Sequence, residues 1–106
     1  MTSDARIARM KEVVARFPED PRARYFLGHE LLRSEEWAEA AEQYEAYLRL
    51  EPKDEGTGFK NLGMCLARLG RREDAAAAYR RGIEAALSHH HEALAEEIRE
   101  LLSEVE

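Results

Sequence analysis

Displacing the sequence by 35 residues lays Leu27-Gly28 on Leu62-Gly63, Leu31 on Leu66, Ala40 on Ala75 and Tyr44 on Tyr79. Alanine matches are cheap in a chain with 17 alanines, but Gly and Tyr are scarce, with six and four copies. Agreement of Leu, Gly, Leu, Ala and Tyr at one offset marks an internal repeat. A period of this length implies supersecondary units that bury their apolar faces by stacking.

Inside each unit the apolar residues recur at helical spacing in two runs. In the first unit Leu27, Leu31 and Leu32 follow Pro21, which suits the first turn of a helix. Ser34 and Glu35 then turn the chain, and Trp37, Ala40, Ala41, Tyr44, Tyr47, Leu48 and Leu50 line a second helix that Pro52 stops. The second unit repeats the plan with Phe59, Leu62, Leu66 and Leu69, a stop at Gly70, and then Ala75, Ala78, Tyr79, Ile83 and Leu87. Antiparallel helices approach closely only over small side chains, so Gly28 is expected to face Ala40 and Gly63 to face Ala75. Val, Ile and Thr together supply eight residues, too few for a sheet-based core, and the fold class is all-α.

The flanks are helical as well. Ile7, Met10, Val14 and Phe17 share one face before Pro18-Glu19-Asp20, and Leu94, Ile98, Leu101, Leu102 and Val105 share another near the C-terminus. From Pro18 to Gly28 is 10 residues and from Pro52 to Gly63 is 11. The added residue falls in Glu55-Gly56-Thr57-Gly58, where the stacking is expected to flex.

Leu27-Gly28-x-x-Leu31, Ala40-x-x-x-Tyr44 and Pro52 in the first unit, with Leu62-Gly63-x-x-Leu66 and Ala75-x-x-x-Tyr79 in the second, resemble the tetratricopeptide repeat family. Phe59 stands at the leading aromatic position of the motif, where the first unit has Arg24; Leu87 stands where the second unit's closing Pro would be. The resemblance implies a right-handed α-α superhelix of helix-turn-helix repeats. It divides a single domain over residues 1–106 into a half-repeat (1–18), two units (21–54 and 56–88) and a C-terminal capping helix (89–106).

In that family the first helix of each pair lines a concave groove where peptides lie. The resemblance therefore assigns a groove to Arg22, Tyr25, His29, Leu32 and Arg33 from one helix and Lys60, Asn61, Met64 and Arg68 from the next. The charge pattern gives these positions a sign. Residues 21–34 and 56–70 each sum to +2, whereas 35–55 sum to −6 and 88–106 to −5, in a chain of net charge −6. A basic groove between acidic outer helices favours a protein or peptide partner of acidic character. The alternative is a self-associating homo-oligomer in which the acidic tail, Ser103-Glu104-Val105-Glu106, fills a neighbour's groove. A carboxylate clamp of the chaperone co-factor kind is not expected, because His29 and Tyr25 stand where its Asn and Lys would be in the first unit.

Other chemistries find little support. Pentatricopeptide proteins share the helical period and read RNA, but they need long arrays and a basic face, so no nucleic-acid role is expected. Cys65 sits inside a helix beside Gly63, where a buried, inert thiol is expected. No nucleophile elbow, zinc-protease motif or phosphate-binding Gly-rich loop is present, so no enzyme activity and no cofactor are expected. Adjacent residues of His89-His90-His91 point about 100° apart on a helix, so at most two could share one ion and no metal site is expected. One cysteine, no signal-like apolar core in residues 1–10 and no membrane-length apolar run lead to an expectation of a cytoplasmic protein without a membrane partner.

Overall fold

A computed structural model describes residues 2–106, and those residues form six helices and no strand. In chain order they are α1 (Ser3–Arg16), α2 (Pro21–Arg33), α3 (Trp37–Leu50), α4 (Thr57–Arg68), α5 (Arg72–Ser88) and α6 (Glu92–Val105). Each helix packs mainly on its neighbours in sequence, from α1 on α2 through to α5 on α6. Short connections make consecutive helices antiparallel. Hence α2, α4 and α6 run parallel, and α4 also touches α6. The chain is an all-α helical-repeat stack, 35 × 27 × 22 Å along its principal axes.

Three of the turns are built the same way. Glu35 (φ 60°), Gly70 (φ 79°) and His90 (φ 60°) adopt the left-handed conformation that closes a helix. The following amide then reaches back to the last turn: Glu36 to the Leu31 carbonyl at 2.9 Å, Arg71 to Leu66 at 2.9 Å, and His91 to Ala86 at 2.7 Å. The histidine run is thus the α5–α6 connection, with His89 closing one helix and His91 opening the next. At the start of α2, the Asp20 carboxylate accepts the Arg22 amide at 2.9 Å, and Pro21 occupies the first helical position.

The glycines meet rings rather than alanines. A Cβ on Gly28 would lie 3.2 Å from the Tyr44 ring, and one on Gly63 would lie 2.4 Å from the Tyr79 ring. Ala40 and Ala75 are fully buried, but they are not the groups that face the glycines. The reason is that helical side chains lean toward the N-terminus, so a tyrosine one turn after the alanine swings back over the alanine's own level. The small residue permits the ring, and the ring sets the spacing of the helices.

The α3–α4 connection, expected to flex, is instead densely fastened. Asp54 is 6% exposed, and its carboxylate accepts from the Gly56 amide (2.9 Å), the Gly58 amide (2.8 Å) and the Tyr47 hydroxyl (2.6 Å). Asp54 thus tucks beneath the start of α4, where the first-turn amides have no helical partner, as Asp20 does at the start of α2.

At the other end, α6 covers α5 with Ala95 and Ile98 fully buried and Leu94, Leu101, Leu102 and Val105 packed around them. The acidic tail lies on its own chain. Glu106 pairs with Arg80 at 2.6 Å, and Arg72 donates to the Val105 carbonyl at 3.3 Å.

Replacing either glycine by alanine gains about 1 kcal/mol of helix propensity. At Gly63 the overlap with a buried ring should outweigh that gain, for a net loss of about 1–3 kcal/mol. At Gly28, where the ring has less far to shift, the two effects should roughly cancel. Urea midpoints measure the difference, and equal midpoints for Gly28→Ala and Gly63→Ala would contradict the ring contact.

Candidate functional site

The nine residues assigned to the groove fall on α2 and α4, which Asn61 ties together. Its side-chain amide donates to the Tyr44 hydroxyl at 3.2 Å and to the Tyr25 hydroxyl at 3.4 Å. Asn61 is 8% exposed, so this amide belongs to the interior rather than to a ligand-facing surface. Tyr25 is half-buried, and its ring stands edge-on to Tyr44 (5.6 Å) and Tyr47 (5.1 Å). The Tyr44 phenol is pushed well above its ordinary range, chiefly by burial.

Charge in the groove is distributed differently from the segment sums. The Lys60 ammonium pairs with Glu97 of α6 at 3.0 Å, and its side chain is 19% exposed. Arg24, counted among the α2 bases, turns away to the Pro18 carbonyl and to Gln43. Glu30, the one acid on α2, pairs with Arg6 of α1 at 3.2 Å. Arg33 and Arg68 remain exposed, one in the last turn of each helix. Those positions also suit the negative ends of the helix dipoles. The Arg68 guanidinium lies 5.2 Å from the centre of the Trp37 ring, and His29 is exposed one turn before Arg33. Leu32 and Met64 are half-buried and supply apolar surface between these charges.

The opposite end of the groove, at the N-termini of α2 and α4, has another character. Arg22, Tyr25, Phe26, Tyr47, Asp54, Glu55 and Thr57 enclose a hollow of about 340 Å³. Sequence reasoning assigned only Arg22 and Tyr25 of these to the groove. Phe26 carried a readable signal, as an aromatic outside the Ala23, Leu27 and Leu31 stripe that α2 buries. Asp54 carried one too, since it follows Pro52 as Asp20, the cap of α2, follows Pro18, whereas Tyr47 carried none. A second hollow of about 490 Å³ lies between the α3–α4 turn and α5, with Lys53, Arg81 and Glu84 in its wall. Its mixed charge selects no single ligand chemistry.

The remaining candidates carry no arranged chemistry. Cys65 is fully buried, and burial pushes its thiol up to about 11. The His89 ring donates through Nδ1 to the Ala85 carbonyl at 2.9 Å. Among the described residues, no group of three His, Cys, Asp or Glu is placed to hold a metal ion. No described helix is long and apolar enough to cross a membrane.

The fold defines a class: a helical-repeat protein in which each helix packs mainly on its neighbours in sequence. The tetratricopeptide repeat family model matches residues 4–55 and again residues 27–90. The chain belongs to the tetratricopeptide repeat family. It is similar to the solution structure of a tetratricopeptide repeat domain protein from Salinibacter ruber, at 30% identity and a TM-score of 0.72, covering 84% of this chain and 89% of that one. The crystal structure of the Sgt2 TPR domain from Aspergillus fumigatus shares the fold at 22% identity and a TM-score of 0.69, covering 93% and 70% of the two chains. A search of the curated proteins finds no match. The architecture is that of a protein–protein interaction module.

Asn61→Leu should keep the helices but leave the buried Tyr44 hydroxyl without its amide partner. The expected cost is about 1–3 kcal/mol in urea unfolding. An unchanged midpoint would mean that the amide does not tie α4 to the first unit.

Proposed function

We propose that the chain binds an extended acidic segment of a partner protein in the groove between α2 and α4. The observation that carries this reading is the pair Arg33 and Arg68. They stand at equivalent positions 35 residues apart, both exposed at the same end of parallel helices, with α4 free of acids. His29 adds a donor beside them, and Leu32 and Met64 offer apolar contact. Lys60 enters such a complex only by releasing Glu97, and Asn61 contributes by holding Tyr25 in place. Exposed ion pairs are worth about 0–1 kcal/mol each, so binding is expected to be micromolar or weaker unless apolar anchors help. The partner would be met in a reducing compartment such as the cytoplasm, which suits the single buried thiol.

In the self-associating alternative, Val105 and Glu106 would have to leave Arg72 and Arg80 before reaching a neighbour's groove. The contacts within one chain therefore compete with that arrangement.

Calorimetric titration with a short acetylated peptide of alternating Glu and Leu tests the reading. Arg33→Glu with Arg68→Glu should weaken binding by about tenfold or more while helical circular dichroism is unchanged. Raising salt from low to molar should weaken the parent in the same direction. Binding indifferent to both the double reversal and salt would overturn the proposal.

A further inference from the structure

We propose that the hollow at the N-terminal ends of α2 and α4 receives the ammonium or guanidinium group of a partner's lysine or arginine side chain. Tyr25, Phe26, Tyr47, Asp54 and Glu55 line it, together with Arg22 and Thr57.

The rings are set as walls rather than as a stack. Tyr25 stands at 80° to Phe26, with centroids 6.5 Å apart, and at 66° to Tyr47 at 5.1 Å. Aromatic faces are electron-rich, so an exposed ring such as Phe26 attracts a cation and gives apolar surface to the methylenes behind it. Phe26 is 57% exposed and takes no part in the α2 core, which leaves its ring available for contact.

The carboxylates supply the sign. The Asp54 carboxylate accepts three hydrogen bonds and is 6% exposed, so little water screens it. The Glu55 carboxylate accepts the Thr57 hydroxyl, which orients it at the rim. Their field is felt at both tyrosines. The Tyr25 and Tyr47 hydroxyls hold their protons more tightly than usual, first through burial and then through Asp54 and Glu55, with Tyr47 also donating to Asp54. Arg22 is the one cation in the wall. Its side chain is 85% exposed, and its guanidinium lies 3.8 Å from Asp20. An anion entering here would meet two carboxylates, and a neutral group would forgo their attraction.

The spacing of a recognised segment follows, and this part rests on the groove reading above. Arg33 lies eight residues beyond Tyr25, about 12 Å along α2. An extended chain advances about 3.3 Å per residue, so the partner's basic and acidic side chains would stand about four residues apart.

The test is an NMR titration of the full chain with n-butylammonium chloride, compared with 1-butanol at matched ionic strength. Ring protons of Tyr25, Phe26 and Tyr47 should shift saturably with the cation, and the alcohol should bind about tenfold more weakly or not at all. Phe26→Ala should weaken cation binding about two- to fivefold, and Glu55→Gln should weaken it as well. Arg22→Ala should strengthen it, because a competing cation leaves the wall. Arg33→Glu with Arg68→Glu should leave butylammonium binding unchanged, so failure of the acidic-peptide reading and failure of this one are separable. Absence of saturable ring shifts, equal binding of 1-butanol, or indifference to both Phe26→Ala and Glu55→Gln would each overturn the proposal.

Discussion

The Tyr44 ring on Gly28 sets more than the spacing of one helix pair. By lying against Gly28, 3.2 Å from where a Cβ would stand, it brings its hydroxyl to 3.2 Å from the Asn61 amide. That amide also reaches Tyr25, so α4 is positioned against both helices of the first unit. In the second unit the Tyr79 ring lies on Gly63, but the next helix is α6, which brings the charge of Glu104 instead of an amide. Burial, then Glu104, pushes the Tyr79 phenol up to about 12. One interlock thus serves two different neighbours, the following repeat and the terminal helix.

The groove inherits its order from this stacking. Parallel first helices place equivalent residues side by side, so Arg33 and Arg68 gather at one end, while the starts of α2 and α4 meet Asp54 and Glu55 at the other. Between them α6 contributes Glu97, which neutralises Lys60. In the proposed complex this surface would grade from acidic and aromatic to basic along about 12 Å, and such a gradient would distinguish the two directions of an extended ligand.

The repeat, the helices and their order were legible in the sequence because Leu-Gly, Ala and Tyr recur at one offset, and because turn residues fall between the periodic runs. The turns at Ser34-Glu35 and Gly70 were legible for the same reason. Side-chain reach was less so. The sequence places Ala40 opposite Gly28, but it does not show that the Tyr44 ring leans back into that space. Charge sums over segments counted Lys60 and Arg24 as groove bases, while their partners Glu97 and Gln43 lie 37 and 19 residues away. The added residue near Gly56 was visible, but its effect was not. Whether an insertion loosens a turn or leaves its Asp capping the next helix depends on backbone amides that composition does not reveal.

The central claim is that partners lie along the α2–α4 face rather than on the outer helices. Backbone chemical-shift mapping during titration with the Glu- and Leu-containing peptide tests it most directly. The account predicts the largest shifts at His29, Leu32, Arg33, Met64 and Arg68, with α3 and α5 little changed along their exposed faces. Shifts concentrated on the exposed faces of α3 and α5, with α2 and α4 silent, would contradict it.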